Sequence, residues 1–485
     1  MFLALDGIGE LHAQVLRALK QGIADGRFAI GSRLPSSREL AAKLGVSRNT
    51  VVAAYEALCA EQLAVAKSGS GTQVAARPTR LHSVQAAPAV EAQSRYASRL
   101  RSLPPVTLER REEGLRWDLQ YGEPMTDIAL FTIWRRALVY AAQRTGAHGA
   151  PSQGLQALRA EIAEHLGKYR GIHCTAADVV VVNGTQQALS LAARILVDEG
   201  ERVVLEEPHY QLATQAFTAH GAVVQHVPVD DEGLQVDAMP TEGVKLAYVT
   251  PSHQFPSGRV MSLERRVAML ERAAAQGFWI VEDDYDGEFK FEGNPPPALH
   301  SLDRHSRVLY VGTFTKTLLP SIRLGYIVAP EPVRRDLIKA KMLSDMRCSA
   351  IEQAAVARLM SSGAYVRHLK RTTVELKRRR RALLAGLQAH CKGLIQIDDS
   401  GGGMHVVGWF PKLGAAQFAA LIDLATSRGL GLHPVKDHYA RPPRSPGLLM
   451  GFAALSVAQI NAATEMLGEC LAEVVRDSAL TRAQA

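Results

Sequence analysis

The chain lacks long apolar runs: nothing in it approaches the ~20 consecutive apolar residues of a spanning helix, which argues against a membrane protein. The opening MFLALDGIGEL turns acidic and glycine-bearing too early for a secretory signal, so the expected location is the cytoplasm. Cysteine is scarce. Cys59, Cys174, Cys348, Cys391 and Cys470 are scattered and odd in number, which argues against a disulfide framework and a zinc cluster and leaves them as small buried hydrophobes. Acidic residues are outnumbered, 48 against 56 Lys and Arg, and the net charge of +8 permits a nucleic-acid partner if the positive charge gathers on one face. What is plentiful is apolar surface: 47% hydrophobic residues over 485 positions can bury a sizeable core in more than one domain.

From Met1 to about Ala76 the pattern is three short helices and a hairpin. Leu11, Val15, Leu16, Leu19 and Ile23 recur at helical spacing, predicting a helix over about 9–25. Ser36 or Ser37 caps a second, over 38–44, with Leu40, Ala41 and Leu44 inward. Ser47 caps a third, over 48 to about 61, with Val51, Val52, Tyr55 and Leu58 inward. Residues 63–74 read as a hairpin around Ser68-Gly69-Ser70-Gly71. These are the parts of a winged helix-turn-helix, in which the first turn of the third helix meets base edges. Arg48 and Asn49, just after Ser47, suit purine edges; Arg38, Thr50 and the wing at Lys67 and Gly69 suit phosphates of a double-stranded DNA operator.

Residues 77–116 are rich in Ala, Arg, Pro and Ser with little apolar periodicity and read as a linker, in which SRYASRLRSL has weak helical spacing. From residue 117 to 475 strand-like and helical runs alternate, implying a mostly parallel sheet flanked by helices, before a short tail, 476–485. Chemistry in such a sheet collects in the loops after the strands' C-terminal ends. One such loop lies in VGTFTKTLLPSIRLGY, residues 311–326, where Lys316 follows a buried strand among hydroxyls, with Arg323 nearby. A lysine so placed can lose its proton and condense with an aldehyde, while Thr313, Thr315 and Arg323 hold a phosphate. That chemistry is pyridoxal 5'-phosphate's. After DVVVV come Asn183, Gly184, Thr185 and Gln186 at a helix start, suited to cup the phosphate. After FWIV come Glu282, Asp283, Asp284, Tyr285 and Asp286, a cluster that needs a cation: a protonated pyridine nitrogen, or alternatively a divalent metal. Tyr285 can donate to the ring's phenolic oxygen, and Tyr210 offers a face for stacking.

Two resemblances rest on these residues. RLPSSRELAAKLGVSRNTVVAAYEALCAEQLAVAKSGSGTQVA is similar to the DNA-binding domain of the GntR family, and the segment from Trp117 to about Cys470 resembles fold-type I aminotransferases, including DLQYGEP at 118–124, TPSHQFPSG at 250–258 and GGMH at 402–405. Together the chain resembles a MocR-type regulator. The resemblance implies an N-terminal winged helix-turn-helix joined to an aminotransferase-like α/β domain with a smaller C-terminal α+β subdomain. It also implies a homodimer, an internal aldimine on Lys316, and Asp283 and Tyr285 against the pyridine nitrogen and ring oxygen.

The chain departs from working aminotransferases where an arginine would pair with a substrate α-carboxylate: LLMGFAAL has Leu449 there. His253, Arg259 and Lys436 are substitutes to examine. Phe255 stands where an asparagine would contact the ring oxygen, leaving Tyr285, His253 or Gln254 for that role, and His148 stands where a partner tyrosine would reach phosphate. The basic run 367–381 reads as a solvated helix face in preference to a second DNA surface. The expectation is a transcription regulator that senses the cofactor itself, an amine or an amino acid; the alternative is a working aminotransferase with an accessory DNA-binding head.

Overall fold

The computed structural model describes residues 3–67, 71–75, 94–105, 114–146, 149–293, 297–399 and 401–484. Two compact units divide between Gln93 and Ser94. The wing tip with Gly69, His148, and most of the stretch read as a linker lie outside the described residues.

The first unit holds α1 (Leu11–Ala24), α2 (Ser37–Leu44), α3 (Arg48–Ala60) and an antiparallel hairpin of β1 (Ala64–Lys67) and β2 (Gly71–Val74). Ser36 and Ser47 cap α2 and α3, their hydroxyls accepting from the backbone N–H of Glu39 and Thr50. Val15, Leu19 and Ile23 share one core with Leu40, Ala41, Val51, Ala54, Tyr55 and Leu58. Leu11, expected on the inner face, is 50% exposed, because as the first residue of α1 it lies beyond the end of the packed stripe. Residues 31–34, between α1 and α2, run beside the wing: Gly31 N–H donates to the Val74 carbonyl (2.8 Å), Leu34 N–H to that of Thr72 (2.9 Å), and Val74 N–H to that of Ser32 (3.0 Å). The Tyr55 hydroxyl donates to the Pro35 carbonyl at 2.7 Å, so the wing is tied to α3 through this segment.

The second unit begins with α4 (Arg95–Ser102), β3 (Trp117–Asp118), α5 (Ile128–Arg144) and α6 (Gln156–Arg170). Its alternating part comprises β4 (Val179–Val182), α7 (Thr185–Leu196), β5 (Arg202–Glu207), α8 (Gln211–His220), β6 (Val223–Asp230), β7 (Gly233–Leu234), β8 (Val244–Val249), α9 (Leu263–Gln276), β9 (Trp279–Asp284), α10 (Leu299–Leu302), β10 (Val308–Thr313) and β11 (Gly325–Val328). There follow α11 (Val333–Asp345), α12 (Ala350–Ser361), α13 (Ala364–His390), β12 (Gln396–Asp398), β13 (His405–Trp409), α14 (Ala415–Ser427), β14 (Leu430–Gly431), β15 (Gly447–Gly451) and α15 (Val457–Gln484).

The central sheet has eight strands in the order β4-β11-β10-β9-β8-β5-β6-β7. β10, β9, β8, β5 and β6 are parallel neighbours, and β4 shares their direction because β11 is antiparallel both to it and to β10. β4 and β10 are buried along their whole length, which explains their unbroken apolar sequence. The mostly parallel sheet expected from the sequence is therefore present, and the loops following β4, β5, β8, β9 and β10 share one edge. A separate antiparallel sheet, β12-β13-β15, with α13, α14 and α15, makes the smaller C-terminal α+β part.

Residues 94–105, inside the stretch read as a linker, form α4 and dock on α8: Arg99 Nε donates to the Ala219 carbonyl at 2.9 Å, and Tyr96 packs on His220 with ring centroids 5.2 Å apart. α15 continues to Gln484 through the expected tail, where glycine and proline are absent and nothing interrupts the helix. The basic run lies on α13 with Leu369, Leu376 and Leu383 buried, while Val374 is 73% exposed. Among the described residues no helix is long and apolar enough to cross a membrane.

Candidate cofactor site and nucleic-acid interface

Lys316 lies past the end of β10, and its amine donates to the Gly122 carbonyl at 2.5 Å. Gly122, inside DLQYGEP, has φ +79°, and a Cβ there would sit 3.0 Å from the amine, so a bare backbone is what admits the lysine. Burial lowers the Lys316 pKa below the ordinary lysine value, against the opposing pull of Glu123, Asp286 and Asp283. The amine is thus held by one carbonyl, with its charged form disfavoured by burial.

The acidic cluster after β9 divides into separate roles. Glu282 accepts from the backbone N–H of Leu299 and His300 (2.9 and 2.8 Å) and faces the fully buried Arg266 at 3.9 Å. Asp284 pairs with the Arg170 guanidinium at 2.5 Å and accepts from the Tyr310 hydroxyl. Asp286 pairs with His253 at 3.0 Å. Arg170 of α6 and Arg266 of α9 thus offset the repulsion that the sequence pattern implied. Asp283 is different: its Oδ2 accepts from the neutral Tyr248 hydroxyl at 2.8 Å, while Oδ1 is buried with no hydrogen-bond partner among the described residues. Burial, reinforced by Asp284 and Asp286, pushes its carboxyl up to about 7. Such a carboxylate calls for a positive group at Oδ1, and a pyridinium N–H fits that requirement.

The phosphate-directed residues converge at the start of α7. Gly184 is its N-cap with φ +77°, a conformation that strains any residue with a Cβ, and a Cβ placed there would lie 4.0 Å from Arg323 Cζ. Thr185 and Gln186 open the helix, so their N–H groups are free of intrahelical acceptors. The Gln186 side chain turns to the Leu212 carbonyl (3.4 Å), leaving its backbone as the useful donor. Thr313 is buried, and its hydroxyl accepts from Thr315 N–H at 3.1 Å.

Tyr285 meets His253 through its hydroxyl at 2.9 Å, and Tyr210 packs edge-on against Phe255 with centroids 5.7 Å apart. Gln254 is not available for the ring oxygen: its amide donates to Pro208 and Phe255 carbonyls and to Glu206, and its oxygen accepts from Ser257, so it is spent folding its own loop. Leu449 is fully buried in β15 among Val407 and Val435. Of the substitutes for its missing charge, Arg259 is paired with Asp231 and Asp398, His253 is engaged with Asp286, and Lys436 is exposed. Beside these groups lies a cavity of about 560 Å³ lined by Tyr121, Tyr210, Phe255, His433 and His438. Burial lowers the His438 pKa to about 4, so its imidazole is neutral at neutral pH. Tyr248, Arg170 and His438 carried no sequence signal of their own, since each acts across the fold, and Gly122 stands out only as part of DLQYGEP.

In the first unit Arg38, Ser47, Arg48, Asn49 and Lys67 are exposed and Thr50 is half-buried. Arg48 Nε reaches the Ser37 hydroxyl at 3.4 Å, which brings the starts of α2 and α3 together. The Thr50 hydroxyl meets that of Ser47 at 2.8 Å, so both are occupied with the cap. Arg33, not singled out from the sequence, is exposed and lies across Gly71 on the wing.

Residues 11–74 match the bacterial regulatory proteins of the gntR family, and residues 118–461 match aminotransferase class I and II. The probable rhizopine catabolism regulatory protein MocR of Rhizobium meliloti is 35% identical over 92% of this chain and 90% of its own. The chain belongs to the MocR-type regulators of the GntR family. The HTH-type pyridoxine biosynthesis transcriptional regulator PdxR of Corynebacterium glutamicum is 32% identical to this MocR-type chain over 92% of each. Among solved structures, LysN, an α-aminoadipate aminotransferase from Thermus thermophilus complexed with N-(5'-phosphopyridoxyl)-L-leucine, superposes with a TM-score of 0.71 at 27% identity, covering 80% of this chain and 98% of that one. This MocR-type protein is a transcription regulator, and the cofactor of its aminotransferase-like domain is pyridoxal phosphate.

Proposed function

We propose that this regulator reads pyridoxal phosphate, or an amine or amino acid that reacts with it, at Lys316 and transmits the result to DNA-binding heads carried by a homodimer. The observation that carries the reading is the buried amine of Lys316, its pKa lowered by burial, close enough to the buried Asp283 for each to act on the other's charge. When bound, pyridoxal phosphate supplies an aldehyde carbon that a primary amine can attack and an acidic pyridinium. Lys316 provides the attacking amine. Asp283 holds a proton at the ring nitrogen, Tyr285 donates to the ring oxygen with His253 fixing its hydroxyl, and Tyr210 flanks the ring. Gly184, Thr185, Gln186, Thr313, Thr315 and Arg323 hold the phosphate through backbone N–H groups, hydroxyls and one guanidinium.

Arg48 and Asn49 read bases, while Arg38, Lys67 and the wing at Gly69 contact phosphates; Ser47 and Thr50 fix the recognition turn. Residues 1–76 act as the DNA-binding domain and 117–475 as the effector and dimerisation domain. Exposed apolar side chains on α5 (Ile128, 85%) and α11 (Leu343, 84%) support a second copy as partner. Leu449 favours sensing over turnover, because a buried aliphatic side chain cannot anchor an α-carboxylate.

The deciding experiment adds pyridoxal phosphate to cofactor-stripped protein and follows visible absorbance. The wild type develops a protein-bound band that survives gel filtration and Lys316→Ala does not; a wild type without such a band overturns the reading.

A further inference from the structure

At the far side of the β5 end from Lys316's own loop, three side chains gather that the cofactor reading does not use. β5 ends at Glu207, the neighbouring β6 carries His226 opposite Leu205 in register, and His209 follows two residues after Glu207. One donor atom from each of the three lies within 4.8 Å of the others. His209 Nδ1 is 3.2 Å and His226 Nδ1 3.6 Å from the same oxygen, Glu207 Oε2. A tetrahedral ion with bonds of ~2.0–2.1 Å separates its donors by ~3.3 Å, so these spacings are those of a metal polyhedron's edges. Glu207's other oxygen, Oε1, accepts from the backbone N–H of Ala440 (2.7 Å) and Arg441 (3.1 Å), which fixes the carboxylate and leaves Oε2 toward the imidazoles. His226 Nδ1 also lies 3.3 Å from the Glu206 carbonyl, the competing position for its ring.

We propose that Glu207, His209 and His226 bind one zinc-class divalent cation, with a fourth position open to water. Two imidazoles and one carboxylate form the donor set of an open zinc site, and its nitrogen content selects against magnesium and calcium. The ion ties the β5–β6 edge to residues 440–441. His209 N–H donates to the His438 carbonyl at 2.8 Å, and His438 and Tyr210 line the 560 Å³ cavity, so the ion braces a wall of the chamber next to the cofactor. It touches neither Lys316 nor Asp283, which makes its occupancy a separate input.

The test uses tag-free, full-length protein loaded with pyridoxal phosphate, titrated with Zn²⁺ against a chromophoric chelator, with metal content measured after gel filtration. One zinc per chain is expected. His226→Ala and Glu207→Gln weaken binding by about 10–100-fold or more, the loss known from removing even an outer partner of a metal ligand, while the cofactor absorbance of His226→Ala stays as in the wild type. His226→Cys restores binding, and Co²⁺ in its place gives tetrahedral visible bands that His226→Ala lacks. No stoichiometric zinc in the wild type, or full affinity in His226→Ala, overturns the proposal and leaves a hydrogen-bonded histidine–glutamate cluster.

Discussion

Asp283→Asn should act in opposite directions on the cofactor-free and the cofactor-loaded protein. Asp283 is buried, its Oδ1 has no hydrogen-bond partner among the described residues, and its carboxyl is pushed up to about 7 from an ordinary 3.8. At 1.36 kcal/mol per tenfold change in proton affinity, that displacement makes the ionised form cost roughly 4 kcal/mol of folding stability. The sign follows from the proton count. Between about 4 and 7 the folded protein holds a proton that the unfolded chain has released, so stability falls as pH rises through this window and the full cost is present above it. Asparagine keeps an acceptor for the Tyr248 hydroxyl but introduces an amide N–H₂ to satisfy, worth ~1 kcal/mol or more. The net gain for the cofactor-free variant at pH 8.5 is therefore about 1–3 kcal/mol, or a few degrees in Tm for a domain of this size. At pH 5 the two proteins converge. Loaded with pyridoxal phosphate, the order reverses, because asparagine offers no charge to a pyridinium. Differential scanning calorimetry of both proteins, with and without cofactor at pH 5 and 8.5, measures all four values. A variant less stable than the wild type at pH 8.5 without cofactor, or one with unchanged cofactor retention, refutes the reasoning.

Arg48→Ala should weaken specific operator binding by ~10–100-fold, the ~1–3 kcal/mol of a base-edge contact, and leave cofactor absorbance unchanged; gel shifts on DNA selected from a random pool measure it. Leu58→Ala, at a site with no exposure in the core of the first unit, should cost ~2–5 kcal/mol and abolish DNA binding while the cofactor band persists, read by melting and absorbance together. Gly184→Ala forces a Cβ into a positive-φ, extended conformation (φ +77°, ψ 175°) at the α7 cap, at about 1–3 kcal/mol, and should show as faster cofactor loss on dialysis. A panel of amino acids assayed for transamination should give turnover indistinguishable from Lys316→Ala, in keeping with Leu449; sustained wild-type turnover would favour the enzyme.

Much of this architecture is legible in one sequence because the strands are buried on both faces. VVVV at 179–182 and VLYVG at 308–312 announce a parallel sheet, and the sheet fixes where chemistry collects. Lys316, Gly184 and Asp283 are readable because each stands just past or at such a strand end. The reversal of β11 is not readable, since a strand buried along its whole length is apolar whichever way it runs. The fates of Asp284 and Glu282 depend on Arg170 and Arg266, whose pairing only the tertiary fold determines. Gln254 looks like a site residue in TPSHQFPSG, yet its amide closes the loop from within, a role invisible without coordinates. The segment 31–34 reads as a turn because the wing strand that it borders lies about forty residues downstream.

The central claim is that chemistry at Lys316 alters DNA binding. Its most direct test is the affinity of full-length protein for its operator, by fluorescence anisotropy, with and without pyridoxal phosphate, in wild type and Lys316→Ala. The account predicts a cofactor-dependent change in the wild type that the variant lacks; equal affinities in the wild type with and without cofactor contradict it.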